Sequence, residues 1–222
     1  MHARYVRRLV LAAFVLAAFV LGCSSSPPGD GAAQSGSSSD GGVDAAPAYP
    51  TENLGWQPRI GARRGQIIPD LSLRGYAPGS RTMQPVSIDV VYDPDGARHD
   101  LAVFVVGGLW EGLSAQMLDE LEAAPPPRVA IVGVLVHGTP AGTPSTDADL
   151  DRWRSTRGAS WALLDPAGVA GFARAFDLAA LPAVIMVDAR TMEIVFAGTG
   201  ALDRAAIERE AGAVRARSPA YP

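Results

Sequence analysis

A glutamate and a serine stand three residues apart at the point where an apolar segment meets a helical pattern. The stretch GGLWEGLS, residues 107–114, follows the apolar run Leu101–Val106 and precedes the helix-like residues 115–124. A carboxylate in the first turn of a helix is stabilised by the helix dipole and by the free N–H groups of that turn. Glu111 is therefore a suitable residue for a helix start, and on this interpretation Ser114 only fills the space beside it.

The segments around this turn predict an alternation of strands and helices. Continuous apolar runs are typical of buried strands, and apolar residues at three- and four-residue spacing are typical of helices. The predicted strands lie near 71–73, 86–96 (closing in a turn), 101–107, 128–138, 161–168 and, as a pair, within 180–200; the predicted helices lie at 113–121, 149–157, 169–178 and 202–216. Strands separated by helices pair in parallel, and the closing pair forms an antiparallel edge. We expect an α/β fold with a mixed central sheet sandwiched by helices.

The N-terminus has the features of an export signal. A basic start that contains Arg4, Arg7 and Arg8 leads into the apolar run Leu9–Leu21, which is too short to span a membrane comfortably. The run ends in the residues VLGC, which resemble the lipobox of bacterial lipoproteins. The alternative is an ordinary signal peptide followed by a chance cysteine. The resemblance implies that residues 1–22 are removed and that a lipidated Cys23 binds the protein to a membrane.

A segment of small and polar residues separates this signal from the rest of the chain. Residues 24–55 are mostly Ser, Gly, Ala, Pro and Asp. Such a segment cannot bury enough apolar surface to offset the entropy lost on ordering. We therefore expect a signal peptide over residues 1–22, a lipidated cysteine with a flexible linker over 23–55, and one folded domain over 56–222.

The charge of the chain argues against nucleic-acid binding, and its cysteine content excludes an intramolecular disulfide. The chain carries 23 acidic and 19 basic residues, and removal of the three signal arginines changes its net charge from −4 to −7. An acidic domain has little attraction for phosphate backbones, so we expect no nucleic-acid partner. Cys23 is the only cysteine, so the chain forms no intramolecular disulfide.

Four landmarks follow one another along the chain. They are the G-x-x-x-P-D entry at Gly65–Leu73, the buried strand that ends at Trp110, the next strand at Val129–Val136, and Leu181-Pro182-Ala183-Val184 followed by Asp188. In this order they resemble the thioredoxin fold and within it the exported TlpA-like (redoxin) branch of thiol–disulfide oxidoreductases. The last landmark is similar to the family's cis-proline loop and the strand after it. The resemblance covers about residues 61–215 and implies a thioredoxin-like domain.

The resemblance breaks at the active site, where the family has W-C-x-x-C and this chain has W-E-G-L-S. By position, the nucleophilic cysteine falls on Glu111 and the resolving cysteine on Ser114. Dithiol chemistry needs a thiolate with a lowered pKa at a helix N-terminus, and neither a carboxylate nor a hydroxyl forms the mixed disulfide. The family's redox reaction is therefore not expected here, no catalytic residue is assigned, and no cofactor is expected.

The favoured hypothesis is a binding module that uses the former active-site face. In the family, the substrate chain lies against the cis-proline loop, and that edge can pair with an extended peptide by strand addition without any cysteine. The predicted binding face comprises Trp110, Glu111, Ser114, Leu181 and Pro182. The expected partner is a protein or peptide of the bacterial cell envelope, where the chain would be lipid-anchored, facing the periplasm or in the outer membrane.

Two alternatives remain open. The first is an enzyme: either a redoxin-family oxidoreductase or antioxidant that acts by another route, or a repurposed activity that uses Glu111, Ser114 and His137. His137 ends a parallel strand at the edge where the family's active site lies, so it is a candidate for acid–base work or a partial metal site with Glu111. No metal is predicted, because His99 and His137 are the only histidines after the signal and lack ligand spacing. The second alternative is a structural spacer.

Overall fold

The computed structural model describes residues 48–50, 61–157, 161–166 and 180–217, together with Phe172 and Phe176. The predicted signal peptide, Cys23, the linker apart from residues 48–50, and most of the helix predicted at 169–178 lie outside the described residues. The proposed domain limits therefore remain predictions.

One mixed sheet organises the described part of the chain. Its strands are β1 (Ser72–Tyr76), β2 (Gln84–Ser87), β3 (Leu101–Gly108), β4 (Val129–His137), β5 (Ala162–Leu164), β6 (Ala183–Asp188) and β7 (Glu193–Thr199). The α-helices are α1 (Leu113–Ala123), α2 (Asp147–Arg157) and α3 (Arg204–Ala216), and a 3₁₀ helix covers Ile88–Val91. The spatial order of the strands is β2-β1-β5-β4-β3-β6-β7.

Strand direction follows the connections. β3, β4 and β5, which are joined through helices, pair in parallel. β6 pairs antiparallel with both β3 and β7, and β1 pairs antiparallel with β2 and β5. The predicted mixed sheet with an antiparallel closing pair is confirmed.

The centre of the sheet is β3, and every one of its residues is buried. Its side chains alternate between two apolar clusters, with Phe104 on one face and Val103 and Val105 on the other. The residues of α1, α2 and α3 that pack on the sheet all belong to the second cluster. The first cluster is covered by the 3₁₀ helix and by Phe172 and Phe176. A strand buried on both faces is a rigid support for whatever follows its carboxyl end.

The strand predicted at residues 86–96 is shorter than expected. β2 begins earlier, at Gln84, and ends at Ser87, after which Ile88–Val91 form the 3₁₀ helix. The reason is local: the Ser87 hydroxyl accepts a hydrogen bond from the backbone N–H of Asp89 at 3.2 Å and so caps a helical turn. Pro85 is tolerated in β2 because this strand lies at the edge of the sheet.

Candidate functional site

The carboxyl end of β3 lies beside the end of β4. Gly108, the last residue of β3, pairs with His137, the last residue of β4, and the backbone N–H of Leu109 donates to the His137 carbonyl at 2.8 Å. This pairing places the turn that leads to α1 next to His137. Both strands are held by their apolar neighbours on each face, so the position of the turn is determined by the core.

The Pro182 loop lies on the other side of the same strand end. β3 pairs with β6 up to Val106, whose partner is Ala183. The antiparallel register therefore brings the next β3 residue, Gly107, level with Pro182. The Leu181–Pro182 peptide is cis, as in the loop that the sequence resembles, and the Pro182 carbonyl accepts a hydrogen bond from Gly200 N–H at 2.8 Å.

Glu111 caps the first turn of α1. Its Oε1 accepts a hydrogen bond from the backbone N–H of Ser114 at 2.5 Å. The residue at the N-cap position is Gly112, which has no side chain to offer. In α3 the helix is capped by the N-cap residue itself, Asp203, whose Oδ1 accepts a hydrogen bond from Ala206 N–H at 2.7 Å. The negative end of Glu111 thus occupies the place beside a helix N-terminus that an anion favours.

The other polar atoms of this turn are buried without a hydrogen-bond partner among the described residues. They are Glu111 Oε2 and Ser114 Oγ, and the side chain of Ser114 is completely buried. Buried polar atoms are paired in the great majority of cases, so two orphans in one turn are unusual. The turn therefore retains unused hydrogen-bonding capacity directly beside the Pro182 loop.

Gly107 explains how the two side chains come so close to the sheet. A Cβ at this position would lie 2.2 Å from Ser114 Oγ and 3.4 Å from Glu111 Oε2. Any residue other than glycine would displace the serine from β3. This role of Gly107 was not predicted from the sequence, although a double glycine at the end of an apolar run is a signal of close packing.

Two large apolar side chains flank Glu111 on the surface. Trp110 is 48% exposed and Leu113 is 54% exposed, and among the described residues the only other large hydrophobic of this kind is Val90, at 40%. The Trp110 indole lies against Gly108, since a Cβ there would be 2.7 Å from its Nε1. We call these two side chains the Trp110–Leu113 patch. The helical spacing of Leu113 with Met117 did not predict its exposure, because Leu113 is the first residue of α1 and lies beyond the sheet.

The structure brings together the predicted face at the end of β3, but it does not join His137 to it. His137 Nδ1 is buried without a hydrogen-bond partner among the described residues, and so is Glu111 Oε2. The two side chains therefore do not form an acid–base pair. Within the described ranges no group of three or more His, Cys, Asp or Glu is placed to hold a metal ion. No described helix has the length and apolar character needed to cross a membrane.

An apolar cavity of about 190 Å³ lies next to the Pro182 loop. It is lined by residues of β6 and β7, among them Ala183, Gly198 and Thr199, together with Phe176. Ala183 directly follows Pro182, so this cavity adjoins the predicted binding face. This cavity could not be predicted from the sequence, because its walls come from segments that are distant in the chain.

Comparison with known proteins gives a fold but no close relative. No protein-family model matches the chain, and no curated protein matches it. Among solved structures, a candidate protein disulfide isomerase from Bacteroides thetaiotaomicron is similar with a TM-score of 0.51 and 15% identity, over 69% of this chain and 90% of that one. A thioredoxin domain of a thiol-disulfide oxidoreductase from Bacteroides vulgatus gives a TM-score of 0.48 and 13% identity, over 68% and 96% of the two chains.

A third similar structure is the exposed lipoprotein thioredoxin of Streptococcus pneumoniae, with a TM-score of 0.46 and 15% identity over 65% of this chain and 99% of that one. At such identities the likeness is one of fold. The chain has a thioredoxin-like fold, as its sequence predicted. The single cysteine of the chain lies at position 23, and the residues after Trp110 that the sequence comparison aligned with the family's motif include Glu111 and Ser114 and no cysteine.

Proposed function

We propose that this protein is a redox-inactive relative of the exported TlpA-like thioredoxins that binds an extended protein segment and is anchored to a membrane of the bacterial envelope. The binding face is formed by Trp110, Glu111, Ser114, Leu181 and Pro182. The observation that carries the proposal is the Trp110–Leu113 patch: two large apolar side chains are exposed on either side of Glu111 in the chain, where the sequence resemblance places a nucleophilic cysteine.

The patch has the composition of a recognition surface. Single exposed apolar residues are common, whereas two adjacent ones beside a buried polar group are less so. Tryptophan is enriched among the residues that contribute most to binding, because it offers a large rigid surface at a small entropy cost. Trp110 is held against Gly108, so its exposed face is pre-positioned for a partner.

The Pro182 side of the face suits an extended segment. A chain that lies beside Leu181 and Pro182 would run along the end of the sheet and make backbone hydrogen bonds, as in strand addition. The adjoining cavity of about 190 Å³ is apolar and has room for one side chain of such a segment. Affinity would then come from the backbone and Trp110, and selectivity from the cavity and Glu111.

The N-terminal residues support an envelope location. The VLGC sequence at residues 20–23 and the polar segment that follows resemble a lipoprotein signal and its tether. A random coil of about thirty small and polar residues has a root-mean-square reach of roughly 30 Å, so a tether of this kind would let the domain contact partners near the membrane surface. A Cys23→Ser variant should move from the membrane fraction to the soluble fraction and lose incorporation of a labelled fatty acid.

The binding proposal is tested by site-specific photo-crosslinking in the native envelope. A photoreactive phenylalanine analogue at Leu113 should capture a partner, whereas the same analogue at Val90, which is exposed to a similar degree, should not. The captured segment, made as a peptide, should bind the purified protein. Trp110→Ala should weaken that binding about tenfold or more, and Val90→Ala should leave it unchanged.

Equal crosslinks from both positions, or peptide binding that is indifferent to Trp110→Ala, would contradict a binding role for this face. The enzymatic alternative has less support, because Glu111 and His137 make no hydrogen bond with each other. Insulin reduction or peroxide consumption by the purified Cys23→Ser protein, above the rate of buffer alone, would favour that alternative.

A further inference from the structure

A second cavity lies at the opposite end of β3 from the candidate site. Its volume is about 510 Å³, and the polar and aromatic residues in its wall are Tyr49, Asp89, Tyr92, Asp93, Asp95 and Arg98. These residues precede Asp100, after which β3 begins. The cavity is therefore independent of the binding face proposed above, and its size is that of a small-molecule site.

Two tyrosine rings form one corner of this cavity. The centroids of Tyr49 and Tyr92 lie 6.0 Å apart with their planes tilted by 56°. The Tyr49 hydroxyl donates to the Ile68 carbonyl at 2.6 Å. Tyr92 is fixed through its backbone, whose N–H donates to the Asp89 carbonyl at 2.8 Å. The Tyr49 ring is thus held by its hydroxyl, and the backbone turn that carries Tyr92 is fixed beside it.

The positive charge at the cavity is already paired. The Arg98 guanidinium lies 3.5 Å from Asp93 Oδ1 and donates to the Tyr92 carbonyl at 3.0 Å. Asp93 Oδ2 accepts backbone hydrogen bonds from Arg98 at 2.6 Å and His99 at 2.7 Å. Asp93 is therefore engaged by groups of its own loop, and its negative charge offsets the positive charge of Arg98.

The remaining carboxylates make the cavity negative. Asp89 and Asp95 are exposed at its rim, and neither forms an ion pair with the described arginines. Burial raises the pKa of Tyr49, and the charges of Asp70 and Asp89 raise it further. The negative charge of Asp89 consequently acts on the aromatic corner, where it favours a positive group.

We propose that this cavity binds a small organic cation of the alkylammonium class. A quaternary or tertiary ammonium group has an apolar surface that suits aromatic faces and a charge that suits nearby carboxylates. An anion would meet Asp89 and Asp95. The aspartates of the wall are not placed to share a bare metal ion, since no described group of three or more His, Cys, Asp or Glu is arranged to hold one. The cation would contact the Tyr49–Tyr92 corner and face Asp89.

The test is calorimetric titration of the full-length protein in a non-ionic detergent, with choline and its neutral isostere 3,3-dimethylbutan-1-ol. We expect choline to bind with a Kd of about 1 mM or tighter and the isostere to bind at least about tenfold more weakly. Asp89→Asn should weaken choline binding about fivefold and Tyr92→Leu about tenfold. Asp147→Asn removes an equal charge outside the cavity and should change nothing.

The source of the cation is distinguished by phosphocholine. If phosphocholine binds as well as choline, the natural ligand is a headgroup or phosphoester; if it binds about tenfold more weakly, the carboxylates reject the phosphate and the ligand is a free amine. Equal binding of choline and the neutral isostere would overturn the proposal, as would no heat of binding up to about 20 mM choline. Because Asp89 is exposed, unchanged affinity in a folded Asp89→Asn variant would overturn it too.

Discussion

A carboxylate lies at each end of β3, and the two carboxylates differ in how fully their oxygens are hydrogen-bonded. Asp100, directly before the strand, accepts hydrogen bonds from Arg128 at 2.9 and 3.0 Å and from Arg215 at 2.8 Å. Glu111, three residues after the strand, accepts one from Ser114 through Oε1, while its Oε2 is buried without a partner among the described residues. The Asp100 end of β3 is therefore stabilised by its hydrogen bonds. The Glu111 end keeps a buried acceptor oxygen without a described partner, which is a feature of functional sites.

The electrostatic consequence is clearest at the first end. Burial alone would raise the pKa of Asp100, but the hydrogen bonds and charges of Arg128 and Arg215 hold it below its ordinary value. Asp93 in the preceding loop behaves alike: burial opposes ionisation, and backbone N–H groups of His99 and Arg98 outweigh it and lower its pKa. Both carboxylates are therefore linked to the folded state.

The largest effect should follow from removing Asp100. Asp100→Ala is expected to lower the free energy of unfolding by about 2–4 kcal/mol, because two arginines lose a shared partner that is almost fully buried. The Asp100 side chain is only 5% exposed. Chemical denaturation measures this loss. Glu208→Ala, which breaks an exposed ion pair with Arg204, is the matched control and should cost less than about 0.5 kcal/mol.

A loss below about 1 kcal/mol in Asp100→Ala would mean that the arginines return to water without penalty. The Asp100 end of β3 would then contribute no special stability to the fold.

This comparison also shows where sequence reasoning succeeds and fails. β3 and α1 were predictable because a continuous apolar run and a helical spacing are local patterns, and the replacement of both family cysteines is visible in the sequence itself. The partners of Asp100 were not predictable, since Arg128 and Arg215 are 28 and 115 residues away in the chain. The end of β2 at Ser87 was missed because a single hydroxyl cap outweighed an apolar pattern typical of a strand.

The packing of the second end is tested at Gly107. Gly107→Ala places a Cβ 2.2 Å from Ser114 Oγ and should lower the free energy of unfolding by about 1–3 kcal/mol. Ser114→Gly in the same chain should recover part of this loss, because it removes the atoms that clash. Gly112→Ala is the control, since a Cβ there meets nothing within 4 Å. Thermal unfolding of the parent, the two single variants Gly107→Ala and Ser114→Gly, the double variant and the control reports the coupling.

Equal destabilisation by Gly107→Ala with and without Ser114→Gly would show that the clash lies with the backbone and not with the serine.

A smaller effect should appear in the dependence of stability on pH. The folded pKa of Asp100 lies below its unfolded value, so its contribution is complete above about pH 4 and is lost as the pH falls through the folded pKa. The free energy of unfolding should therefore decrease on acidification below about pH 4. Asp100→Asn should reduce this slope, and urea denaturation across that range measures it. If Asp100→Asn leaves the pH dependence of the free energy of unfolding unchanged, the ionisation of Asp100 does not contribute to it, and the prediction is wrong.

The smallest expected change in stability comes from Glu111→Gln, which is the counterpart of Asp100→Asn at the other end of the strand. The amide keeps an oxygen that can accept from Ser114 N–H and removes a charge whose Oε2 has no described partner. The free energy of unfolding should stay within about 0.5 kcal/mol of the parent or rise, because a cap is retained and a buried unpaired charge is lost. Chemical denaturation of both variants under one condition makes the comparison.

The same Glu111→Gln variant should bind the segment captured through Leu113 more weakly than the parent, because the carboxylate is the charged acceptor of the binding face. Retained stability with lost affinity is the pattern of a residue kept for recognition and not for folding. If Glu111→Gln instead costs as much stability as Asp100→Asn and leaves affinity unchanged, the carboxylate serves only as the cap of α1. Recognition would then depend on the Trp110–Leu113 patch and the Pro182 loop alone.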